Sequence, residues 1–426
     1  MRFILANFLK RLETQERHQN MSCKVFEIKI NKSKLNQDQN NFLSLLFLEA
    51  KWFYNDMLSF SKDDHSKIYD YTTKKKNVFV KINDNFELRE LTILSSQMKQ
   101  QMFERIKSNI KALSTKKKNG EKVGKLKFKS FINSVPLIQL NSTYKIDFEN
   151  KTIKLPKYKK PFKVFGLEQL KDVDEICNAH LIRKSSGIYF KITTFSEKEK
   201  IDSKEMIGLD FGIKDSITFS NGIKIKTNIQ ISKQIRKQHK KLSRKKKGSN
   251  NRKKEQKKLR KLYERQTNKK RDVKNKIVSY LKKNFGLIVV QNENIKAWHS
   301  GLFGKQIQES SIGGILSGIK NIPQTIVLDR FFPSTQLCPA CGVLNKHGLS
   351  ERMYRCDCGY ERDRDVHSAQ NMLREGLRVM DKQEKANDNI VPVECREINF
   401  VESKTSVSNM INCFWMVDHL EVSFVQ

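Results

Sequence analysis

Four cysteines inside one short window constrain this chain more than anything else in it. They stand in two tight pairs, Cys338/Cys341 in CPACG and Cys356/Cys358 in CDCG, with fourteen residues between the pairs. Zinc takes four soft or borderline ligands in a tetrahedron, and thiolates presented by two tight turns supply that geometry. Each pair is followed by a glycine, Gly342 and Gly359, which lets the backbone turn with its amides facing sulfur. The second pair is one residue tighter than the usual Cys-x-x-Cys. Disulfides or unrelated core cysteines are the alternatives, and clustering of this kind favours metal. Four thiolates leave no open coordination position, so the zinc is expected to be structural. Cys23, Cys177, Cys395 and Cys413 are scattered singly, which fits a reducing compartment better than a disulfide framework.

The 426 residues are enough for two or three domains with real cores. A formal charge of +37 demands a polyanionic partner, and nucleic acid is the first candidate. A ribosome-associated or membrane-surface protein is the blander reading of the same charge. Hydrophobic runs stay short of the ~18 residues of a membrane span. The start mixes a short apolar run with charges and lacks a small-residue cleavage site. It reads as a helical extension, with Met21 an equally good start. The expected location is cytoplasmic, nucleoid-associated through DNA.

Lys24–Ile30 alternates apolar and charged residues like a half-buried strand. From Gln37 to about Lys116 the spacing is helical, with stripes through Phe42, Leu45, Leu46, Leu48, Phe53, Tyr54 and Met57 and again over Leu91–Ile110. Strand-like segments then return: Lys125–Ile132, Leu137–Leu140, Tyr144–Phe148, Thr152–Leu155, His180–Lys184 and Ile188–Thr194. Short strands spaced by turn residues predict a small β-barrel or sandwich. Its aromatics, Tyr144, Tyr158, Phe162 and Tyr189, suit base stacking, but most of them are expected to be simply the core.

At Met206 the pattern becomes strand, tight turn, strand, with Asp210 interrupting an apolar run between Gly208 and Gly212. Such glycines would let a phosphate or metal approach the backbone. Lys233–Lys276 holds 22 Lys/Arg against 3 acids, yet keeps a thin apolar stripe broken at Gly248. A helical hairpin with one packed stripe and the rest facing phosphates is expected, a disordered basic segment being the alternative. Its candidate contacts are Lys240, Lys241, Arg244, Lys245, Lys246, Lys247, Arg252, Lys253, Lys257, Lys258, Arg260 and Lys261. A buried strand from Gly286 leads to Glu293, a helix over Ile307–Ile319 follows, and Thr325–Asp329 forms another strand. After the cysteines, Asp363-Arg364-Asp365 opens a helix. From Arg378 onward, with 5 basic and 8 acidic residues, no motif stands out.

A strand-borne Asp, an acid closing a later buried strand and an acid opening a C-terminal helix suggest an RNase H-like sheet. Three carboxylates at one sheet edge can hold two Mg²⁺ ions for phosphodiester hydrolysis, and hard oxygen ligands suit that metal.

GLDFGIKDSITFSNG, QKKLRKLYERQ, VVQNENIKAW, FPSTQLCPACG and CGYERDRDVHSAQNML occur in an order that resembles the TnpB family of transposon-encoded RNA-guided nucleases and the smallest type V CRISPR effectors. The resemblance implies an α+β multidomain fold. A RuvC-type nuclease over 204–335 and 361–377 would carry a zinc ribbon at 336–360. An extension at 1–20 and a wedge-type β-barrel at 21–36 and 117–203, carrying a helical recognition lobe at 37–116, would precede it, and a tail at 378–426 would follow. Asp210, Glu293 and Asp365 become the catalytic, Mg²⁺-binding carboxylates. Many members have Glu where this chain has Gln291, and a Gln-x-Glu-Asn version resembles part of the family, so Glu293 is assigned. Asp365 matches the family's third acid, Asp363 being a neighbour that could assist. Arg364 is expected either to orient a carboxylate, to contact phosphate, or to form a structural salt bridge. Guide RNA and target double-stranded DNA beside a short flanking motif are the implied partners, bound by a monomer or homodimer. The alternatives are a cleavage-inactive guided regulator, a DNA-strand transferase and a structural RNA-binding zinc-ribbon protein.

Overall fold

Met21–Ile30 turns Phe26, Ile28 and Ile30 into a core, the last two fully buried, and it pairs antiparallel with Gly187–Glu197 from Met21↔Glu197 to Lys29↔Tyr189. The two strands lie inside a seven-stranded antiparallel sheet in the order Ser134–Leu137, Glu175–Lys184, Gly187–Glu197, Met21–Ile30, Phe162–Phe165, Thr152–Lys154, Lys145–Asp147. The computed structural model describes residues 13–14, 16–61, 64–82, 85–138, 140–198, 203–348, 350–386, 414 and 420–425. The chain divides into two compact units, Met1–Glu199 and Lys200–Gln426.

In the first unit, helices Gln37–Phe60 and Ser96–Lys118 share one apolar core with the sheet. Asn36 caps the first through a full capping box with Gln39, which satisfies otherwise orphaned helix-end amides. Glu49, fully buried, accepts from the amides of Thr92, Ile93 and Leu94 and from the Thr92 hydroxyl. A buried carboxylate persists only when its lone pairs are filled in this way, and here it fixes the approach to the second helix.

The second unit is built on a six-stranded sheet in the order Thr325–Leu328, Leu287–Gln291, Met206–Asp210, Ile217–Phe219, Ile223–Thr227, Leu420–Phe424. Its first three strands are parallel and the rest antiparallel. Every residue of Leu287–Gln291 is buried because both sheet faces are covered. Ile288 and Val290 join the core that includes Val273, Ile277 and Leu281 of helix Asn250–Asn284 and Ile312, Ile315 and Ile319 of helix Ile312–Lys320. Leu287 and Val289 pack with Met372 and Leu373 of helix Arg364–Ala386. Two small residues let that last helix close on the sheet. A Cβ on Gly208 would stand 2.0 Å from the Ala369 carbonyl oxygen, and one on Gly376 would stand 2.3 Å from Val289 Cγ2.

Several expectations change. Within the helical lobe, Asn77–Ile82 and Asn85–Glu90 form a β-hairpin. Leu48 is exposed. Lys125–Ile132 pairs with no strand: Phe128 and Phe131 point outward, and the Asn55 side chain takes both backbone groups of Lys129, at 2.9 and 3.0 Å. Phe162–Phe165 is an additional strand. Among the described residues the seven-stranded ladder is open, with no pairing between its end strands, rather than closed into a barrel. Ile307–Ile319 is two helices, divided at Ser311 with φ 58°. The C-terminal helix continues to Ala386. Leu420–Phe424, expected to be featureless tail, is instead a strand paired with Ile223–Thr227. Most of the 1–20 extension and of 387–419 lies outside the described residues, although 16–19 are helical. Among the described residues, no helix is long and apolar enough to cross a membrane.

Candidate active site and metal centre

Asp210 is the last residue of the central strand Met206–Asp210, and Asp365 lies in the first turn of the helix that Gly208 admits onto that strand. The glycine therefore makes room for the helix, and not for the phosphate or metal expected from the sequence; Gly212 serves a turn against the Asp215 carbonyl. Burial, with the negative Asp365 and Glu293 nearby, pushes the Asp210 carboxyl well above the usual range, against a hydrogen bond from Ser368. Glu293 is likewise raised by burial, opposed by Arg330 and Lys320. It stands past the end of its strand in a tight turn, its amide 3.0 Å from the Gln291 carbonyl, so the turn and not the pleat of the strand sets its direction. The oxygens of the three acids do not all gather within 4.8 Å, a wider spacing than one ion requires. A poorly solvated carboxylate that faces two other acids, as Asp210 does, is relieved by a divalent cation, and the donor set fits magnesium.

Lys224 is a further charged group here, unforeseen in the sequence. Its side chain is 8% exposed, with Nζ 2.9 Å from Asp363 and 3.4 Å from Asp365. Burial works against its ammonium, but the bond to Asp363 and the charges of Asp365 and Asp215 outweigh that and raise its pKa. Asp363 also accepts from the amides of Asp365 and Val366, both at 3.1 Å. It thus caps the helix and holds its first turn. Arg364 donates to the Gly348 carbonyl at 3.0 Å and lies 4.0 Å from Asp365. Its guanidinium thereby ties the cysteine segment to the acid.

The raised Asp210 carboxyl has a measurable consequence. Without divalent cation the folded chain binds this proton more tightly than the unfolded chain, so stability falls as pH climbs from the ordinary carboxylate range through the raised value. Asp210→Asn removes that penalty. In magnesium-free, zinc-loaded protein at pH 8, Asn should raise Tm, by roughly 2–4 °C per kcal/mol relieved for a unit of this size. The gain should shrink towards pH 4, where the aspartate begins to be protonated in the unfolded state as well. A Tm difference that ignores pH would contradict the assignment.

The cysteine module joins the same helix. All four thiols lie within one ligand cluster, with Cys338–Cys358 and Cys341–Cys356 sulfurs 3.6 and 3.5 Å apart. Zinc–sulfur bonds of about 2.3 Å imply edges of about 3.8 Å in a tetrahedron, so the set fits zinc without rearrangement. Against its burial, backbone amides of Cys341 and Ala340 bring the Cys338 thiol down to about 6. Against the Tyr360 amide, neighbouring sulfurs, Cys356 foremost, push Cys358 up to about 12. Four sulfurs this close ionise together only around a cation. The tight Cys356-Asp-Cys358 pair is accommodated at Gly359 with φ 90°. Tyr354, in strand Met353–Arg355 paired with Glu361–Asp363, stacks on His367 at 3.8 Å, docking the module on the helix that carries Asp365.

Among the described residues one other potential ligand cluster exists, His18, Glu175 and Cys177. Arg17 and His18 already pair with Glu175, and burial pushes the Cys177 thiol up to about 12. It serves to pin the leading helical residues to the first sheet.

The basic segment forms helices Lys233–Ser243 and Asn250–Asn284, capped by Ser232 and Ser249, with Gly248 at φ 84° between them. Arg252 donates to the Leu242 and Lys245 carbonyls, both at 2.9 Å, closing the turn. That contact gives Arg252 a structural task. Lys240, Lys241, Arg244, Lys245, Lys246, Lys247, Lys253, Lys257, Lys258, Arg260 and Lys261 are exposed.

Residues 189–298 match the OrfB_IS605 family, described as probable transposase, and 321–372 match the Cas12f1-like TNB domain. Asp210, Glu293 and the basic helices fall in the first match; the four cysteines and Asp365 fall in the second. A putative RNA-guided DNA endonuclease of Streptomyces pristinaespiralis is 33% identical over 182 residues, 40% of this chain and 45% of that protein. The putative RNA-guided DNA endonuclease InsQ of Escherichia coli K12 is 27% identical over 269 residues, 55% of this chain and 65% of that protein. The chain thus spans about half to two-thirds of the length of these relatives. Among solved structures, the protein of a Cas12f1–sgRNA–target DNA complex aligns with 12% identity over 83% of this chain and 99% of that one, at a TM-score of 0.47. That last likeness is too loose to carry an argument.

Proposed function

We propose that the chain is an RNA-guided DNA endonuclease, hydrolysing phosphodiesters after a guide RNA pairs with target next to a short flanking motif. The observation that carries this reading is Asp210, half-buried at the end of a central strand, with both Asp365 and Glu293 close enough to raise its carboxyl. Its setting in a chain of +37 with guided-endonuclease relatives adds the nucleic-acid context. On this reading the second unit is RuvC-like over 204–335 and 361–377, with a zinc ribbon at 336–360. The sheet of the first unit is wedge-like and carries the lobe at 37–116.

Asp210, Glu293 and Asp365 would hold two magnesium ions, which supply an activated water and a stabilised leaving 3′ oxygen. Asp363 and Lys224 fix the helix turn from which Asp365 projects. Tyr354 and His367 hold the ribbon to that helix. Guide–target pairing reads sequence, while exposed cations of the two basic helices bind backbone by shape and charge.

Sequencing the RNA that co-purifies with protein expressed from its native locus tests the partner. A discrete species with a constant scaffold supports the proposal; heterogeneous cellular RNA alone favours a general basic RNA-binding protein. Replacing Lys257, Arg260 and Lys261 by Gln should then flatten the dependence of log affinity on log salt by about 2–3, close to one for each phosphate left without its cation. An unchanged slope would remove those three residues from the interface.

A further inference from the structure

We propose that Ser368 is a positioning residue for Asp210, held in that task by Ser334 and Gln291. The inference rests on the nuclease reading of the Asp210 site and adds residues to it.

Ser368 follows Asp365 by three positions on helix Arg364–Ala386, so the two share a face. Its side chain is fully buried, with Oγ 3.1 Å from Asp210 Oδ1 and 3.0 Å from Ser334 Oγ. Ser334 Oγ in turn donates to Gln291 Oε1 at 3.1 Å. The orientation of that amide is set on its other side. Gln291 Nε2 lies 3.1, 3.0 and 2.8 Å from the carbonyls of Asp329, Arg330 and Phe332, so nitrogen faces the loop and oxygen faces Ser334.

Counting protons then fixes a direction. A hydroxyl has one donor and two acceptor lone pairs. Ser334 spends its proton on Gln291 and turns a lone pair to Ser368. The single Ser368 proton then has two acceptors, that lone pair and Asp210 Oδ1, and an ionised carboxylate is the stronger of the two. With Oδ1 held, Oδ2 is the oxygen left for a metal. The relay is anchored once more by Asn371, three positions further along the helix. Its Nδ2 donates to the carbonyls of Ser334 and Leu337 at 2.8 and 2.7 Å, and Leu337 directly precedes Cys338. One helix thus carries an acid, the hydroxyl that aims a second acid, and the amide that holds the loop entering the cysteine module. Gln291, the last residue of its strand, has a defined purpose in this arrangement.

Hydrogen-bonding partners of metal ligands typically change metal affinity by about 10–100-fold when removed. The test uses full-length protein with its co-purified RNA and a matched target. Ser368→Ala should raise the Mg²⁺ concentration for half-maximal cleavage by about tenfold or more, and Ser368→Thr should restore most of it. Mn²⁺ binding in excess of that shown by the Asp210→Asn variant, read by electron paramagnetic resonance, should weaken by a similar factor. Ser334→Ala, one bond further away, should shift both in the same direction and covers the case in which Ser368→Ala fails to fold. Unchanged Mg²⁺ and Mn²⁺ dependence in a folded Ala variant overturns the positioning role while leaving the nuclease reading intact. A wild type that never cuts, yet loses Mn²⁺ binding on Ser368→Ala, keeps the positioning role and discards the nuclease reading.

Discussion

Asp210→Ala should abolish guided cleavage, lowering the rate by about a thousandfold or more, while leaving guide and target binding in place. Charge stabilisation by a bound metal is worth several kcal/mol in the transition state, and each 1.36 kcal/mol is a factor of ten in rate. Asp210 is the acid whose charge meets both other acids, so its loss removes ligation towards either neighbour. Binding should survive because the exposed cations of Lys233–Ser243 and Asn250–Asn284 are separate residues from the acids. Single-turnover cleavage of a matched plasmid, with target binding measured alongside, checks both halves. Retained cutting would remove Asp210 from the catalytic set. Loss of binding to the same extent as cutting would mean the substitution acts through folding.

The second large effect concerns the cysteines. Cys341→Ser or Cys356→Ser should eliminate stoichiometric zinc and unfold the segment from Leu337 to Tyr360, because structural zinc contributes apparent free energies of about 10–16 kcal/mol to small modules. Little else holds this segment: among its described residues only Cys338 and Tyr354 are buried. The damage should spread to the acids. Tyr354 stacks on His367, and Arg364 donates to Gly348, so losing the module frees the first turns of the helix that bears Asp365. The expected result is loss of one zinc per chain by elemental analysis, with cleavage falling in parallel and the melting transition of the remaining sheet retained. Full cleavage by zinc-free protein would show that the ribbon is not coupled to the site.

The candidate site was legible where short-range chemistry announces itself. Paired cysteines followed by glycines, an aspartate breaking an apolar strand, and an acid opening an amphipathic helix are local signals. The basic helices were legible because their apolar stripe survives among 22 cations. What escaped depends on contacts between distant parts of the chain. Leu420–Phe424 alternates apolar and polar residues, yet its partner, Ile223–Thr227, lies about two hundred residues earlier. Asn85–Glu90 is exposed throughout, so burial gives its sequence no face to display. Lys125–Ile132 shows the reverse error, since alternation without a partner strand leaves extended backbone tied down by Asn55 and by Leu126 and Ile132 against the core. Lys224 looks like one more lysine among dozens until the fold surrounds it with Asp363, Asp365 and Asp215. Ser368 carried one usable cue, its place three residues after Asp365, but its partners Ser334 and Gln291 are supplied only by the closed sheet.

Programmed cleavage tests the central claim most directly. The co-purified RNA would be remade with its variable end replaced by a chosen sequence, loaded on the purified protein, and incubated with plasmids carrying that sequence beside a randomised flank. The account predicts Mg²⁺-dependent linear product from matched plasmids sharing one flanking motif, and none from mismatched plasmids. Tight RNA binding with matched plasmids left intact across all flanks and Mg²⁺ concentrations would contradict it.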